Sequence, residues 1–550
     1  MKTYRDLHLT FPDRTTWTLP AVLRHRATTH ADAVFLDVPF QDTTLTYAQT
    51  LDAAERVGGA LLAGGCVQGD RVLIMGANSV EYLLAWMGAS VAGLVEVPIN
   101  TAYRGTFLEH QVRTVSPSAA VVDPEYVSHF LTLDAARSVK TFYVTGPSPG
   151  EAIAALRAGG WEAHSFDSLT GADRPASLPE VAASDLAAIL FTSGTTGLSK
   201  GVMMPHAHFH FFADECVSLC RLTDADAHMA VGPLFHGNAQ FLACYPAMIV
   251  GARFVLQQRF SASRWVDQLR DSQVTVTNFI GVMMDWVHKQ PRRDDDADNP
   301  LRCLYAVPLA TSIATDFKAR FGIEAFVENF GLTEISMPIL TPYGAERPPG
   351  AAGVLVEDYF DVRLVDPETD EEVPVGEVGE LVVRAHLPFT MTSGYYGMPE
   401  RTVEAQRNLW FHTGDGLRRD AEGWYYFVDR LKDALRRRGE NISSFEVEQP
   451  ILAHPGVVDC AVVGVPADSE AGEDELLLVV VPEEGTTLTA AEVWEWCEPR
   501  LPAFAIPRYV KIADALPMTP SGKVRKLELR EHGIDAATAD RETTPGLRPS

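Results

Sequence analysis

The sequence predicts an α/β protein. A large N-terminal domain holds two parallel-sheet βα subdomains and a small β-barrel-like subdomain, and a smaller α+β C-terminal domain follows. Three observations predict it. Helix-period and strand-length apolar segments alternate through the first 350 residues, as βαβ units on parallel sheets require. From about Val354 the segments become strands divided by Gly, Pro and Asp with no helix between them, the pattern of a small antiparallel sheet or barrel. After Arg430 helices and strands mix again. These changes place the N-terminal domain at 1–429, with βα subdomains at about 1–350 and the antiparallel subdomain at about 351–429, and the C-terminal domain at 430–550.

In chain order, TYAQTLDAAERVGGALLAGG has apolar residues at helical spacing and stops on glycines. DRVLIMG is a short buried strand, SVEYLLAWMGASVAG a helix, LVEVPIN and SAAVVD further strands. The alternation resumes through ARFVLQ, SRWVDQLRDSQ, VTVTNFI and DFKARFG. VEDYFDVRLVD, GELVVRA and GWYYFVDR are the strands of the antiparallel part. SSFEVEQPILAH and AAEVWEWCEPR are helices of the last domain, and VVDCAVVGVP and ELLLVVVP its strands. From about His532 apolar periodicity ends, which predicts an irregular tail.

Composition narrows the function classes. The formal charge is −27 over 550 residues, against the basic face that a nucleic-acid binder needs. The N-terminus has no apolar run after its charges, so no secretory signal is expected. The longest apolar stretch, Tyr82 to Asn100, is broken by Ser90, two glycines and Glu96, and predicts a helix plus a strand instead of a membrane span. Seven scattered cysteines without a Cys-x-x-Cys pair predict free thiols in a reducing, cytoplasmic setting. Monomer and homodimer both fit this composition.

The chemistry concentrates in a few short stretches. FTSGTTGLSKG, residues 191–201, follows the buried strand DLAAIL. Its glycines let backbone N–H groups approach a ligand. With Ser193, Thr195, Thr196 and Lys200 these N–H groups form a cradle for phosphate. A Walker loop needs its lysine directly after glycine, and here Gly197 and Lys200 are separated. A flexible surface linker has a similar composition.

FTSGTTGLSKG resembles the signature phosphate loop of the adenylate-forming superfamily, which includes acyl-CoA synthetases, nonribosomal-peptide adenylation domains and firefly-type luciferases. In that superfamily proline usually precedes the lysine; here it is Ser199. The resemblance continues in order along nearly the whole chain. It implies ATP contacts from Thr192, Ser193, Gly194, Thr195, Thr196, Gly197 and Lys200. FGLTE, Phe330–Glu334, resembles the adenine and metal motif. There Asn329, Phe330 and Gly331 would face adenine, Thr333 would bond phosphate, and Glu334 would hold Mg²⁺, a hard cation that prefers oxygen ligands. FHTGD resembles the ribose motif, with Asp415 accepting from both ribose hydroxyls, Arg430 reaching the ribose and Phe427 beside the nucleotide. DRLKDALRRRGENISSFEVE resembles the hinge between domains, with Lys432 as pivot and Arg436, Arg438, Gly439 and Glu440 bordering the path of the CoA thiol; a solvated charge run is the plainer reading of the arginines. PMTPSGKVRK resembles the catalytic-lysine motif, which assigns Lys523.

One stretch departs from the superfamily. Tyr305-Ala-Val-Pro-Leu309 stands where a Gly-Gly-Ala-Pro-Leu run usually lies along the adenine, so side chains are expected where the base enters, with Val307 and Pro308 beside it. PLFHGNAQ, Pro233–Gln240, resembles the segment that opens the acyl pocket. His236, Asn238, Phe279, Gly281, Met283 and Met337 are its expected lining, and no aspartate is present there to pair a substrate ammonium. The resemblance thus implies an acyl-CoA synthetase using ATP, Mg²⁺ and coenzyme A on a hydrophobic carboxylic acid. Lys523, Lys200, Thr333 and Glu334 are its catalytic groups, and the C-terminal domain is mobile. Transfer to a carrier-protein thiol or an amine, specialisation to the thioester-forming half-reaction, and a non-catalytic adenylate sensor remain as alternatives.

Overall fold

The computed structural model describes residues 2–544 apart from 193–197, 281–282, 308, 312, 431–433, 438–439, 467–473, 484 and 519–523. Two seven-stranded sheets carry the first 330 residues. One runs in the order 162–165, 141–144, 119–122, 71–75, 95–98, 186–192 and 200–205, parallel except for its last strand. The other runs 325–327, 303–307, 276–280, 227–230, 253–256, 34–38 and 43–46, again with one antiparallel edge. The two are interleaved in sequence: the hairpin at 34–46 completes the sheet built mainly from 227–327.

Local chemistry explains the helices between the sheets. Tyr47–Ala63 starts with a reciprocal cap between Thr46 and Gln49. Val80–Val91 starts on Ser79, whose side chain accepts from the Tyr82 N–H. These two helices meet where neither can carry a side chain. A Cβ at Gly58 would lie 2.6 Å from the Gly88 carbonyl oxygen, and one at Gly88 would lie 2.4 Å from Val57 Cγ1.

A third seven-stranded sheet is antiparallel throughout, in the order 329–332, 336–340, 353–355, 424–430, 411–419, 378–385 and 360–365. It begins at Asn329, earlier than the boundary near 351 that the turn residues suggest, because its first strands follow the parallel layer without a break in apolar composition. Among the described residues no pairing joins its two outer strands.

The last part of the chain opens with a hairpin, Ala434–Arg437 against Glu440–Ser443, followed by the helix Ser444–Leu452. A four-stranded sheet then takes the order 457–466, 474–482, 509–512 and 538–540. The tail expected to be irregular therefore supplies an edge strand: Thr538–Asp540 pairs with Tyr509–Lys511, and Arg508 holds Asp540 in a salt bridge at 3.0 Å. Three residues are too few to show apolar periodicity. Phe107 lies in one apolar cluster with Leu435, Ile442, Val447 and Trp494, and Arg104 donates to the carbonyls of Glu498 and Leu501. The N-terminal part thus meets the hairpin and its following layer directly.

Candidate active site

Strands Leu186–Thr192 and Lys200–Pro205 pair antiparallel, with Thr192 opposite Lys200. The glycine-rich stretch therefore joins the two strands of a hairpin, and its ends are fixed by a ladder. Four groups meet there. The Thr192 hydroxyl donates to Glu334 Oε1 at 3.3 Å, and the Tyr395 hydroxyl donates to the same oxygen at 3.1 Å. Lys200 Nζ lies 4.3 Å from the centroid of the Tyr395 ring. Glu334 is buried and sits 142 positions from Thr192 in sequence. The Glu334 Oε2 atom has no hydrogen bond among the described residues, and such a carboxylate oxygen is the ligand type that a hard cation such as Mg²⁺ takes.

Tyr395 is the member of this group that motif reading missed. It arrives through backbone pairing. Ser393 N donates to Met203 O, Met203 N to Gly394 O, and Tyr396 N to Gly201 O, so residues 393–396 lie along the outer side of strand 200–205. The signal in the sequence was the aromatic pair in TSGYYG. Burial and the neighbouring Glu334 charge hold the Tyr395 hydroxyl far above its ordinary range, so it remains a donor. Thr333 and Glu334 follow a tight turn: a Cβ at Gly331 would lie 2.3 Å from the Ser336 carbonyl oxygen, which only glycine permits. Thr392 N donates to the Glu334 carbonyl and closes the turn.

On the expected adenine side, Phe330 and Phe427 are near-parallel, with centroids 6.2 Å apart. Asp415 is buried and directly opposite Arg430 across the ladder, so the two ribose candidates are cross-strand neighbours. The Tyr305 ring does not enter an open cleft, which corrects the expectation from its sequence position. It is fully buried, its hydroxyl donates to Asn329 Oδ1 at 2.6 Å, and it rests 3.4 Å from Met337 Sδ. Alternation along strand Cys303–Val307 puts Cys303, Tyr305 and Val307 on the face toward the core layer that also holds Cys216 and Met337, with Val307 half-buried at the strand end.

The acyl-pocket candidates divide between the two faces of a sheet. The Asn278 amide donates to both the carbonyl and the Oδ1 of Asn238, at 3.1 and 2.7 Å, and Met337 lies against Tyr305. His236, half-buried, has its ring 4.8 Å from that of Phe235. Phe279 follows Asn278 and so points the other way. It packs on Trp265 at 5.1 Å in a separate apolar cluster, against which the partly buried Met283 also rests.

The opening segment is clamped from outside. Asn78 accepts from Leu234 N and donates to the carbonyls of Gly232 and Gln257, and Gln240 donates to Glu96 at 2.7 Å. Gln240 begins a π-helical turn, Gln240–Cys244. Burial pushes the Glu96 carboxyl up to about 8 from an ordinary value of 4.5, with the Gln240 hydrogen bond opposing weakly. The folded protein therefore keeps a proton that the unfolded chain releases. Stability from this group is complete below about pH 4.5 and is lost as pH rises toward 8, the loss by pH 7 being about 3 kcal/mol. Glu96→Gln, which can still accept from Gln240, should raise the melting temperature more at pH 8 than at pH 5. An equal shift at both pH values would contradict the protonated assignment.

Of the remaining candidates, Arg436 and Glu440 are on the hairpin, opposite Asn441 and Arg437 respectively. Ser193, Gly194, Thr195, Thr196, Gly197, Gly281, Pro308, Lys432, Arg438, Gly439 and Lys523 lie outside the described residues. All seven cysteines are buried and free. No helix among the described residues is long and apolar enough to cross a membrane.

Comparison with known proteins matches residues 23–396 to the AMP-binding enzyme family and residues 446–523 to the AMP-binding enzyme C-terminal domain. A feruloyl-CoA synthase from Amycolatopsis sp is 34% identical over 517 residues, 92% of this chain and 97% of that protein. A crotonobetaine/carnitine–CoA ligase from Salmonella enteritidis PT4 is 31% identical over 88% of this chain and 93% of that one. The crystal structure of ATP-bound MatB from Rhodopseudomonas palustris superposes with a TM-score of 0.66 at 29% identity, covering 94% of this chain and 98% of the other.

Proposed function

The chain belongs to the AMP-binding enzyme family, and within it we propose that it is an acyl-CoA synthetase, an AMP-forming acid–thiol ligase that activates a hydrophobic, non-amino-acid carboxylate. The observation that carries this reading is that Thr192 and Tyr395 both donate to Glu334 while Lys200 lies over the Tyr395 ring. These contacts join the glycine-rich hairpin to the FGLTE turn, as phosphate and Mg²⁺ binding at one place requires.

The carboxylate attacks the α-phosphorus of ATP, forming acyl-adenylate and expelling pyrophosphate. Lys200 holds the departing pyrophosphate charge, and the hydroxyls of Thr192 and Tyr395 keep Glu334 oriented. Glu334 would hold Mg²⁺, which would supply positive charge to the phosphate oxygens. Lys523 approaches the α-phosphate from the C-terminal domain and neutralises charge that grows in the transition state. The CoA thiol then attacks the activated carbonyl and AMP leaves, with Arg436, Arg438, Gly439 and Glu440 along its path. Lys432 is the pivot between the two arrangements, and Asp415 and Arg430 hold the ribose through both.

The acyl specificity rests on the polar groups that face the pocket. His236, Asn238 and Asn278 include no carboxylate. The nearby Glu215 carboxyl is already engaged, accepting from Met337 N at 3.1 Å, and burial raises it above the usual carboxylate range. An ammonium would have no charged partner among these groups. CoA-dependent AMP release should be faster with aromatic and aliphatic acids, ferulate among them, than with the matching α-amino acids. Turnover of a free amino acid with none of its desamino analogue would overturn the substrate class.

A further inference from the structure

Ser199 sits between the glycine-rich stretch and Lys200, and all its polar groups are engaged. Its carbonyl is bonded to His110 Nε2 at 2.8 Å, its hydroxyl is 3.5 Å from the Gln111 amide, and its backbone N–H donates to Glu446 Oε1 at 2.6 Å. The first two partners are in the N-terminal part of the chain. Glu446 is not: it lies on Ser444–Leu452, directly after the hairpin assigned to the thiol path. Both residues are buried, Ser199 at 2% and Glu446 at 5% exposure. Two residues further on, Glu448 faces the other way. It accepts from Val462 N at 2.7 Å and pairs with Lys526 at 2.7 Å, which ties the helix to its own sheet. One acid thus fixes the helix within its domain, and the other reaches across to the residue beside Lys200.

We infer that the Ser199 N–H and the Glu446 carboxyl form a latch that holds the C-terminal domain against the exit of the glycine-rich hairpin in the thiol-transfer arrangement. The inference rests on the function proposed above for assigning that arrangement to the second half-reaction. The latch is specific to a residue with a backbone N–H at 199, since proline there could not donate. Burial pushes the Glu446 carboxyl up to about 7, and any rotation that carries it away must break a buried hydrogen bond, enough to bias two arrangements by several-fold to about tenfold. Ser199 and Glu446 are positioning residues: neither is assigned to substrate.

The test uses the full-length enzyme and the acid that turns over fastest in the panel above. Thioester formation from supplied acyl-adenylate and CoA is timed in a single turnover, and labelled pyrophosphate exchange into ATP is timed separately. Glu446→Ala and Ser199→Pro should each slow the first by several-fold to about tenfold and leave the second unchanged or faster. The double variant should be no slower than either single one, because both remove the same bond. Ser199→Ala, which keeps the N–H and loses only the hydroxyl bonded to Glu446, should lose less than Ser199→Pro. Equal loss in both half-reactions, multiplying effects in the double variant, or no loss at all would overturn the latch. If wild type exchanges pyrophosphate with no acid, the proposed function fails instead. The latch is then read from a pair of spin labels, one on each domain: Glu446→Ala should broaden the distance distribution, and an unchanged distribution would overturn it.

Discussion

Lys523→Ala should slow acid-dependent pyrophosphate exchange by about 10²–10³, the scale for deleting one group that stabilises transition-state charge. Thioester formation from supplied acyl-adenylate should stay within a few-fold of wild type. The reason is positional. Lys523 lies beyond Lys432, in a segment flanked by the bridge of Met518 to Val524 and by Lys526, which is bonded to Ser444 and Glu448 of the same domain. In the proposed mechanism a lysine carried on that domain serves the α-phosphate only in the arrangement that brings that domain to the cleft. Wild-type ligation from free acid by Lys523→Ala would remove the lysine from the mechanism.

Glu334→Gln should raise the Mg²⁺ concentration needed for half-maximal exchange by tenfold or more. Loss of outer-shell partners alone costs metal sites 10–100-fold, and a direct ligand should cost no less. The substitution is informative because of what it preserves. A glutamine oxygen can still accept from Thr192 and Tyr395, so the turn closed by Thr392 N should keep its shape while the charge is lost. Thermal unfolding should therefore change little. An unchanged Mg²⁺ dependence would separate Glu334 from the metal.

Much of this was legible in the chain, because the informative signals are local. Strand 186–192, the glycines after it, the FGLTE turn and the Asp415 ladder position each announce themselves within a dozen residues. What escaped depends on pairing between distant segments. Tyr395 reaches Glu334 only because 393–396 lies along strand 200–205, and no periodicity in either segment encodes that meeting. The hairpin 34–46 joins a sheet nearly two hundred positions away for the same reason. Phe279 shows the sensitivity of strand alternation: one residue of register separates Asn278, bonded to Asn238, from a ring packed on Trp265. Tyr305 replaces a small residue, and its destination on Asn329 and Met337 required knowing which face of the strand is core.

The central claim is that one cleft, assembled from the 186–205 hairpin and the FGLTE turn, joins a carboxylic acid to AMP. Exchange of labelled pyrophosphate into ATP, measured with and without each acid of the panel, tests it most directly. The account predicts exchange that requires both Mg²⁺ and a hydrophobic acid and that disappears in Lys523→Ala. No exchange with any acid, from an enzyme that still converts supplied acyl-adenylate and CoA to thioester, would contradict it.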